Sequence, residues 1–448
     1  MNKPEQGFSQ GYINTEKRPE PTLKNKPISG ERYYTKEFMN LEWDRMWTKT
    51  WLVAGLESQI PKHGDYFTFD LGKESILCTR DRDGKVRTFY NVCQHRGNKL
   101  VHEEQGSSKY LVCAYHGWRF RSDGSLSFAP CAEDFAQGNP TKCGSMADLE
   151  EIRCEVFAGM IWYNLDPEAP TLREFLGPVM DEIAVYNVQD MVRTHWVTIE
   201  GDFNWKCVQD NFNESYHLPF VHPQTKYIME QSYKYCQFDM FEKEGHARMF
   251  MPGTRPTMSL KWKTSRALEE LREEIEFWGL DVEKYASKPH EIREAMQKIK
   301  REKGAEKGFD YSNFNDDQLT DHYHYTIFPN HSFSLKPDGC IWLRADPHPT
   351  DPEKCIFDMW YLTWFPKGET RYYAQSVSEW VDLDKPAPHV RGKEGEVSCG
   401  PAIDQDVEIW KTQQKGLRSR GYRGGYMPEQ ENRIKFFHQN LDTYLGID

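Results

Sequence analysis

Two short stretches of the chain each place one cysteine close to one histidine. "NVCQHRGNKL" contains Cys93 and His95, and "LVCAYHGWRF" contains Cys113 and His116. The 17 residues between the two pairs are enough for a hairpin that brings them face to face. Two thiolates and two imidazoles suit a zinc ion, but a zinc finger keeps its cysteines together and its histidines together. One thiolate and one imidazole from each loop favour a metal cluster with two distinct ends.

A second group of ligand-type residues lies in "NWKCVQDNFNESYHLPFVHP". A helix that ends near His217 is expected, because Pro219 follows and the residue before a proline avoids helical angles. Asp210, Glu214 and His217 fall at positions i, i+4 and i+7 and would share one face of that helix. A solvated polar face is the alternative, but a chain broken at Pro219 can fold His222 back against His217. Two histidines and one carboxylate leave open positions on non-haem Fe(II), where O2 and substrate can approach.

The carboxylate of such a site must come from elsewhere in the chain. "AIDQDVEIWKTQQKGLRSRGY" predicts a helix that begins around Asp404 to Asp406 and is closed by Gly416. One of the two aspartates should cap the helix N-terminus, which is the usual role of Asp at such a point. The other is then free to bind iron, and the residues alone leave open which one does.

Composition excludes several functional classes. The chain has 448 residues, 38% of them hydrophobic, which is enough to fill at least two cores. A net charge of -12 and the lack of a long basic run argue against nucleic-acid binding. No apolar run approaches the roughly 20 residues that span a bilayer, and "MNKPEQGFSQ" lacks the hydrophobic centre of a signal peptide. We therefore expect a cytoplasmic protein without a membrane segment, in which cysteines are buried or bind metal.

The sequence predicts an α+β protein with two domains. Residues 1–45 are predicted to form a polar arm that leads into an amphipathic helix. Residues 46–165 alternate in short runs broken by Asp-Gly and Gly turns, which predicts a small antiparallel β domain. Residues 166–448 are predicted to form a larger domain in which helices cover one curved antiparallel sheet.

Two charged helices are predicted within the larger domain, in "TSRALEELREEIEFWGL" and in "PHEIREAMQKIKREKG", the first of them ended by Gly279. They either cover the sheet as solvated amphipathic helices or roof a pocket. Five residues could belong to the core or line such a pocket: Phe220, His322, His324, Phe333 and Trp360.

From about residue 40 to 445 the chain resembles the catalytic α subunit of the Rieske non-haem iron ring-hydroxylating oxygenases. The resemblance rests on "CQHRG" and "CAYHGW" at their spacing and on "DNFNESYHLPFVHP". It implies a small antiparallel β Rieske domain and a catalytic domain of the SRPBCC (Bet v1-like) helix-grip type. The ligands that it implies for a Rieske [2Fe-2S] cluster are Cys93, His95, Cys113 and His116.

The same resemblance implies that a mononuclear Fe(II) is bound by His217, His222 and Asp406, because Asp406 matches the family's position better than Asp404. It also implies that Glu214 connects an iron-binding histidine to a cluster histidine of a neighbouring subunit. Many ring dioxygenases have Asp at this position, so Glu214 makes the chain similar to the branch that includes choline and carnitine monooxygenases. Two more residues are expected to act close to the iron site: Asp210 and Asn211.

The function that the resemblance implies is hydroxylation of an aromatic or other cyclic compound with O2. Electrons would come from a separate NAD(P)H reductase, with or without a ferredoxin, since no Gly-rich dinucleotide motif follows a predicted strand. The subunit would assemble as a homotrimer or an α3β3 complex. Monooxygenation or demethylation of a quaternary ammonium compound is the alternative, and a Rieske electron carrier without oxygenase activity is the hypothesis from another class.

Overall fold

A computed structural model describes residues 16–142, 146–258 and 265–447 of the chain. These residues divide into two compact units. The smaller unit runs from Glu42 to Phe175 and includes Pro347–Asp351. The larger unit contains the described residues up to Leu41 as well as the segments from Leu176 to Asp346 and from Pro352 onward. Within the described residues, no helix combines the length and the apolar character that crossing a bilayer requires.

The helices are α1 (Lys36–Glu42), α2 (Leu172–Leu176), α3 (Pro178–Ala184), α4 (Trp205–Phe212), α5 (Leu218–Val221), α6 (Arg272–Phe277), α7 (Ile292–Lys303), α8 (Pro401–Leu417) and α9 (Asn432–Leu445). The strands of the smaller unit are β1 (Leu52–Leu56), β2 (Asp65–Leu71), β3 (Glu74–Arg80), β4 (Val86–Tyr90), β5 (Gln105–Ser107), β6 (Leu111–Val112), β7 (Arg119–Phe120), β8 (Leu126–Phe128), β9 (Glu151–Phe157) and β10 (Met160–Asn164). Those that follow are β11 (Val192–Gly201), β12 (Gln237–Phe241), β13 (His246–Met251), β14 (His322–Ile327), β15 (His331–Lys336), β16 (Gly339–Pro347), β17 (Cys355–Thr363), β18 (Arg371–Ala374), β19 (Glu379–Asp382) and β20 (His389–Lys393).

The smaller unit is built from antiparallel strands, as its alternating sequence predicts. Seven strands form one sheet in the order β1-β10-β9-β4-β3-β2-β5, and β6, β7 and β8 form a second sheet. Cys93 follows β4 and Cys113 follows β6, so each sheet delivers one of the two Cys/His loops. Both cysteines are part of the buried core cluster that also contains Leu77, Phe89 and Trp118. The hydrophobic core therefore fixes the positions of the two thiols.

The larger unit is organised around an eight-stranded sheet in the order β12-β13-β14-β15-β16-β17-β11-β20. The pairings whose register is given are antiparallel except that of β11 with β20, which is parallel. Helix α4 packs against β15, β17 and α8. This arrangement confirms the expectation of a catalytic domain with helices on a curved antiparallel sheet.

Helix α8 is held against α4 and the sheet by one large side chain. Trp410 is fully buried, and its ring makes edge contacts with the rings of Phe203, Phe212 and Phe357. Gln414, four residues later, accepts a hydrogen bond from the backbone N–H of Asn204 at 3.0 Å. Residues four apart share a helix face, so the face of α8 that is anchored in the core is fixed in rotation as well as in position.

The expected single helix that ends near His217 is wrong. Helix α4 ends at Phe212, where the Asn213 side chain donates to the carbonyl of Gln209 at 2.9 Å and competes with helical bonding. Glu214 and His217 therefore do not share a helix face with Asp210. A second short helix, α5, begins directly after His217, and Pro219 lies in its first turn. Proline is tolerated there because the first N–H groups of a helix have no intrahelical partner.

Two other helix boundaries differ from expectation. Helix α8 begins at Pro401, before the expected start at Asp404 to Asp406, and Gly416 lies inside it. The first charged helix forms a 3-10 segment from Ser265 to Leu271 followed by α6. Gly279, with φ of +79°, follows its end as expected. Thr264, the first residue of that expected helix, and residues 1–15 of the expected arm lie outside the described residues.

Ion pairs join α7 to the segment before β14 and to α6. Arg293 of α7 contacts Asp317 and Asp321, both at 2.6 Å, and Lys300 contacts Glu274 at 2.9 Å. Five residues were expected either to belong to the core or to line a pocket. Of these, Phe333 and Trp360 are buried in the sheet, whereas Phe220 is exposed. These observations favour a core role for the two sheet residues.

Candidate functional site

The two Cys/His loops of the smaller unit have the same backbone geometry. In the first, the N–H of Cys93 donates to the carbonyl of Asn98 at 2.9 Å, and the N–H of Gly97 donates to the carbonyl of Cys93 at 3.0 Å. In the second, Cys113 and Gly117 make the equivalent bonds, with Trp118 as the acceptor for Cys113. Gly97 and Gly117 both have φ of +70°, which glycine adopts without strain. The two loops are therefore matched halves of one site.

Thiols and imidazoles lie on different sides of this site. The Cys93 and Cys113 thiols are buried within reach of each other, and burial raises the pKa of Cys93 to about 11. The His95 and His116 rings are partly exposed, and their Nδ1 atoms face each other at 3.1 Å. Partial burial and the neighbouring His116 and Arg96 lower the pKa of His95, which favours the neutral ring that binds metal. Sulfur inside and nitrogen outside fits a two-iron cluster with two distinct ends.

Aromatic rings pack around the two loops. The ring of Trp118 stacks on His95 with centroids 5.0 Å apart, and Arg96 lies over the ring of Tyr115. Trp118 therefore orients an imidazole by packing. His102 is exposed.

In the larger unit, His217, His222 and Asp406 converge. One ligand atom from each lies within 4.8 Å of the other two, and no other group of three or more His, Cys, Asp or Glu does so among the described residues. The Nε2 atom of His222 lies 2.8 Å from Oδ1 of Asp406, and the Nε2 atom of His217 lies 3.6 Å from the same oxygen. Two imidazoles and one carboxylate that converge in this way form the donor set of non-haem Fe(II) oxygenases.

The other nitrogen of each imidazole is held by a side-chain oxygen. His217 Nδ1 lies 2.5 Å from Oε1 of Glu214, whose Oε2 accepts from the backbone N–H groups of His217 and Tyr216. His222 Nδ1 lies 2.7 Å from Oε1 of Gln405. Hydrogen bonds at Nδ1 leave Nε2 as the nitrogen available to a metal and fix the ring orientation. Sequence reasoning missed Gln405, and its position next to Asp406 was the available signal.

The structure distinguishes the two aspartates of α8. Asp404 accepts hydrogen bonds from the backbone N–H of Cys399 at 2.8 Å and from the Ser398 hydroxyl at 2.5 Å, so it stabilises the helix start. Asp406 is buried against the two imidazoles.

The expected role of Asp210 and Asn211 close to the iron site stays a prediction. The Asp210 carboxylate accepts from the Tyr33 hydroxyl at 2.5 Å and lies 3.0 Å from Nε2 of His438. Burial, followed by the charge of Asp210, raises the pKa of Tyr33 well above its usual value. The Nδ2 atom of Asn211 is buried without a hydrogen-bond partner among the described residues. Tyr33 and His438 lie far from Asp210 in the sequence, so no local sequence pattern predicts their contacts with it.

Comparison with known protein families agrees with the two sites. Residues 50–146 match the Rieske [2Fe-2S] domain, and residues 188–447 match the ring hydroxylating alpha subunit (catalytic domain). The two matches define the class of this protein: a Rieske domain followed by a catalytic domain. Because the second match covers more than half of the chain, the chain belongs to the family of ring-hydroxylating alpha subunits. The cofactors of this family are a Rieske [2Fe-2S] cluster and a mononuclear iron.

Curated relatives fall into two groups. The chain is 35% identical over 195 residues to the large oxygenase component of a naphthalene 1,2-dioxygenase system from Ralstonia sp, covering 42% of each chain. It is 33% identical over 195 residues to the carnitine monooxygenase oxygenase subunit of Escherichia coli (strain K12), covering 43% of this chain and 51% of that relative. The chain thus spans about half the length of these relatives.

Solved structures share the fold over nearly the whole chain. The quaternary ammonium Rieske monooxygenase CntA in complex with an inhibitor has a TM-score of 0.65 at 17% identity, covering 93% of this chain and 94% of that one. Naphthalene 1,2-dioxygenase with bound indole has a TM-score of 0.62 at 19% identity, covering 94% and 92%. These similarities confirm the expected fold.

The matched loops predict a specific sensitivity to added Cβ atoms. Gly97→Ala and Gly117→Ala should each destabilise the protein by about 1–2 kcal/mol, because a Cβ there meets no atom within 4 Å but must adopt a left-handed backbone. Gly416→Ala is the matched control, since its Cβ also meets open space but lies within helix α8. The control should be neutral or gain up to about 1 kcal/mol. Calorimetric unfolding of the three variants checks this expectation, and wild-type stability in Gly97→Ala would contradict it.

Proposed function

We propose that this chain is the terminal oxygenase component of a Rieske non-haem iron system that hydroxylates a small organic substrate. The observation that carries the proposal is the convergence of His217, His222 and Asp406. When bound, a Rieske cluster supplies one-electron transfer, and a mononuclear ferrous ion supplies O2 activation. The chain's own residues supply ligands, orientation and shielding from water.

Each proposed ligand set is held ready by the fold. Cys93 and Cys113 would bind the buried iron of the cluster, and His95 and His116 would bind the more exposed one. His217, His222 and Asp406 would bind the mononuclear iron, with Nε2 of each histidine turned to the metal by its Nδ1 hydrogen bond. Binding to the buried thiols requires loss of both thiol protons, so cluster assembly releases protons.

The proposed substrate is an aromatic or other cyclic compound. The naphthalene dioxygenase components among the relatives favour this substrate class. Oxygenation of a quaternary ammonium compound is the second candidate, favoured by the carnitine and glycine betaine monooxygenase subunits among the relatives and by Glu214 at the position discussed above. A Rieske electron carrier is the third, and it requires no mononuclear iron.

The proposed partners are a separate NAD(P)H reductase, with or without a ferredoxin, and further copies of this chain in a homotrimer or an α3β3 complex. Dependence on NAD(P)H favours a cytoplasmic reaction. Exposed aromatic side chains support a docking role for both sites: Tyr115 adjoins His116, and Phe220, whose side chain is 81% exposed, lies between His217 and His222. In the proposed assembly, these residues bring the cluster loops of one subunit to the iron loop of the next.

Replacing one proposed iron ligand tests the function. His217→Ala should lower the iron content from about three to about two atoms per chain and abolish reductase-dependent O2 uptake, because only the mononuclear site is lost. The visible spectrum of the cluster should be unchanged. Iron analysis, spectroscopy and oxygen electrode measurements check this, with the exposed His102→Ala as control. Two atoms of iron per chain in the wild type would leave only the electron carrier.

The proposed role of Glu214 in orienting His217 predicts weaker iron binding in Glu214→Gln. The amide can accept from His217 Nδ1 with its oxygen, but its NH2 group then faces the backbone N–H groups of Tyr216 and His217. The affinity for mononuclear iron should fall about 10- to 100-fold. Iron retained after dialysis against a graded chelator measures the affinity, with the exposed Glu200→Gln as control. Equal retention in Glu214→Gln and wild type would exclude this role.

The proposed subunit contact predicts an effect at the protein surface. Phe220→Ser should weaken assembly by about 10-fold or more, since an exposed Phe gains about 1.5–3 kcal/mol on burial. Iron content should not change. Light scattering across a dilution series measures assembly. Stopped-flow reoxidation of the reduced cluster measures electron transfer to the next subunit. Phe277→Ser, another exposed Phe on the larger unit, is the control. Identical behaviour of the two variants would argue against a contact at Phe220.

A further inference from the structure

Arg433 of α9 is fully buried, but most of its guanidinium has no partner. The Nη2 atom donates to the Thr326 hydroxyl at 2.7 Å. The Nε and Nη1 atoms have no hydrogen-bond partner among the described residues. Burial lowers the pKa of Arg433 to about 9, and the charges of Asp239 and Glu214 oppose that shift without forming an ion pair with it. A buried cation without a counterion is costly.

Three other buried arginines of the larger unit are compensated by carboxylates. Arg248 contacts Asp239 at 2.6 Å, Arg255 contacts Glu230 at 3.0 Å, and Arg293 contacts two aspartates. The fold thus generally supplies a carboxylate where it buries a guanidinium. At Arg433 the carboxylate is missing from the described part of the chain, which suggests that an external group provides it.

Arg433 lies on the sheet face that α4 covers. Thr326, which binds its Nη2, is paired with Ser332 of β15, and the Ser332 hydroxyl donates to Oε1 of Gln209 in α4 at 3.2 Å. His324, on the same face of β14, has its ring 6.0 Å from that of Phe212 at the end of α4. The chain continues from Phe212 directly to Glu214 and His217. The guanidinium is therefore on the side of the sheet where α4 leads into the proposed iron site.

Small side chains flank Thr326, the residue that binds Arg433. Thr326 is paired with Ala247 of β13 on one side and with Ser332 on the other, and His324 is paired with Met249 and Ser334. Cross-strand partners share a sheet face. Bulkier apolar residues begin one row away, where Met249 and Met251 pack with Leu218, which follows His217. A cationic group beside small polar residues and next to an apolar cluster fits an organic anion with an apolar body.

We propose that Arg433 binds the carboxylate of an organic acid substrate. The inference rests on the proposed function and narrows its substrate class from cyclic compounds in general to carboxylates, aromatic or zwitterionic. The Nη1 hydrogens together with the second hydrogen of Nη2 provide two parallel donors, the geometry that binds a carboxylate through both oxygens. Arg433 then positions the substrate, and the apolar cluster holds its body.

Binding of small acids to the full chain tests the proposal without the reductase. The probes are benzoate, cinnamate, nicotinate and glycine betaine, with benzamide as the neutral analogue and chloride at equal ionic strength. At least one carboxylate should raise the unfolding temperature of the wild type and bind in calorimetry, whereas benzamide and chloride should not. In Arg433→Met the affinity for that acid should fall at least about 30-fold, and Arg433→Lys should recover part of it.

Stability without ligand separates a binding role from a structural one. Arg433→Met should unfold at the wild-type temperature or above it, because it removes an uncompensated buried charge. Arg255→Met is the matched control and should unfold at a lower temperature, because it leaves Glu230 buried without its partner. A large loss of stability in Arg433→Met, or unchanged binding of the acid, overturns the proposal. So does a wild type that binds none of the four acids.

Failure of this inference is distinguishable from failure of the proposed function. Iron content and reductase-dependent O2 uptake are measured on the same wild-type preparation. Mononuclear iron with O2 uptake but without carboxylate binding overturns the role of Arg433 alone. Absence of mononuclear iron overturns the oxygenase proposal.

Discussion

The carboxylate of Asp406, buried against the imidazoles of His217 and His222, is the interaction on which the larger unit's arrangement depends. An ionised carboxylate in the protein interior is costly unless a cation compensates it. A metal ion held by Asp406 and the two imidazoles would supply the compensating charge. The three side chains come from the loop after α4, the end of α5 and the first half of α8. Their convergence therefore requires each of these elements to be fixed separately.

Helix packing and hydrogen bonds fix these elements. Asp406, Trp410 and Gln414 recur at intervals of four on α8, so one helix face carries the Asp406 carboxylate, the aromatic anchor and a hydrogen bond to the start of α4. On the other side, Asn213 ends α4, and Glu214 then bonds both the backbone and the ring of His217. Glu214 thus organises the loop and orients the His217 imidazole with a single carboxylate.

Polar satisfaction is uneven across the larger unit. The charged helices are tied down by paired ions, with Arg293 between two aspartates. Asn211 and Arg433 have buried nitrogens without hydrogen-bond partners among the described residues, and so do Arg255 and Trp410. Native proteins satisfy most buried polar groups. Arg433 differs from Arg255 because it also lacks a carboxylate partner within the described part of the chain.

The sequence by itself determined the elements of chemistry that are local in the chain. Cys93 with His95, Cys113 with His116, and His217 with His222 are each separated by a few residues, so a short loop suffices to bring them together and spacing is informative. Turn residues and alternation likewise predicted the antiparallel strands. The helix through His217 was predicted wrongly, because a proline can begin a helix as well as end one and the side chains of Asn213 and Glu214 decided between the two.

Only the tertiary structure decided the contacts between distant parts of the chain. Asp404 and Asp406 are the same residue type and lie only two positions apart. Packing of α8 through Trp410 directs Asp406 toward the imidazoles and leaves Asp404 to stabilise the helix start. Gln405 at His222, Tyr33 and His438 at Asp210, and the uncompensated charge of Arg433 have no local signature. Each depends on which helix face meets which strand, a property that is set by burial of the whole core and not by the residues' own neighbours in sequence.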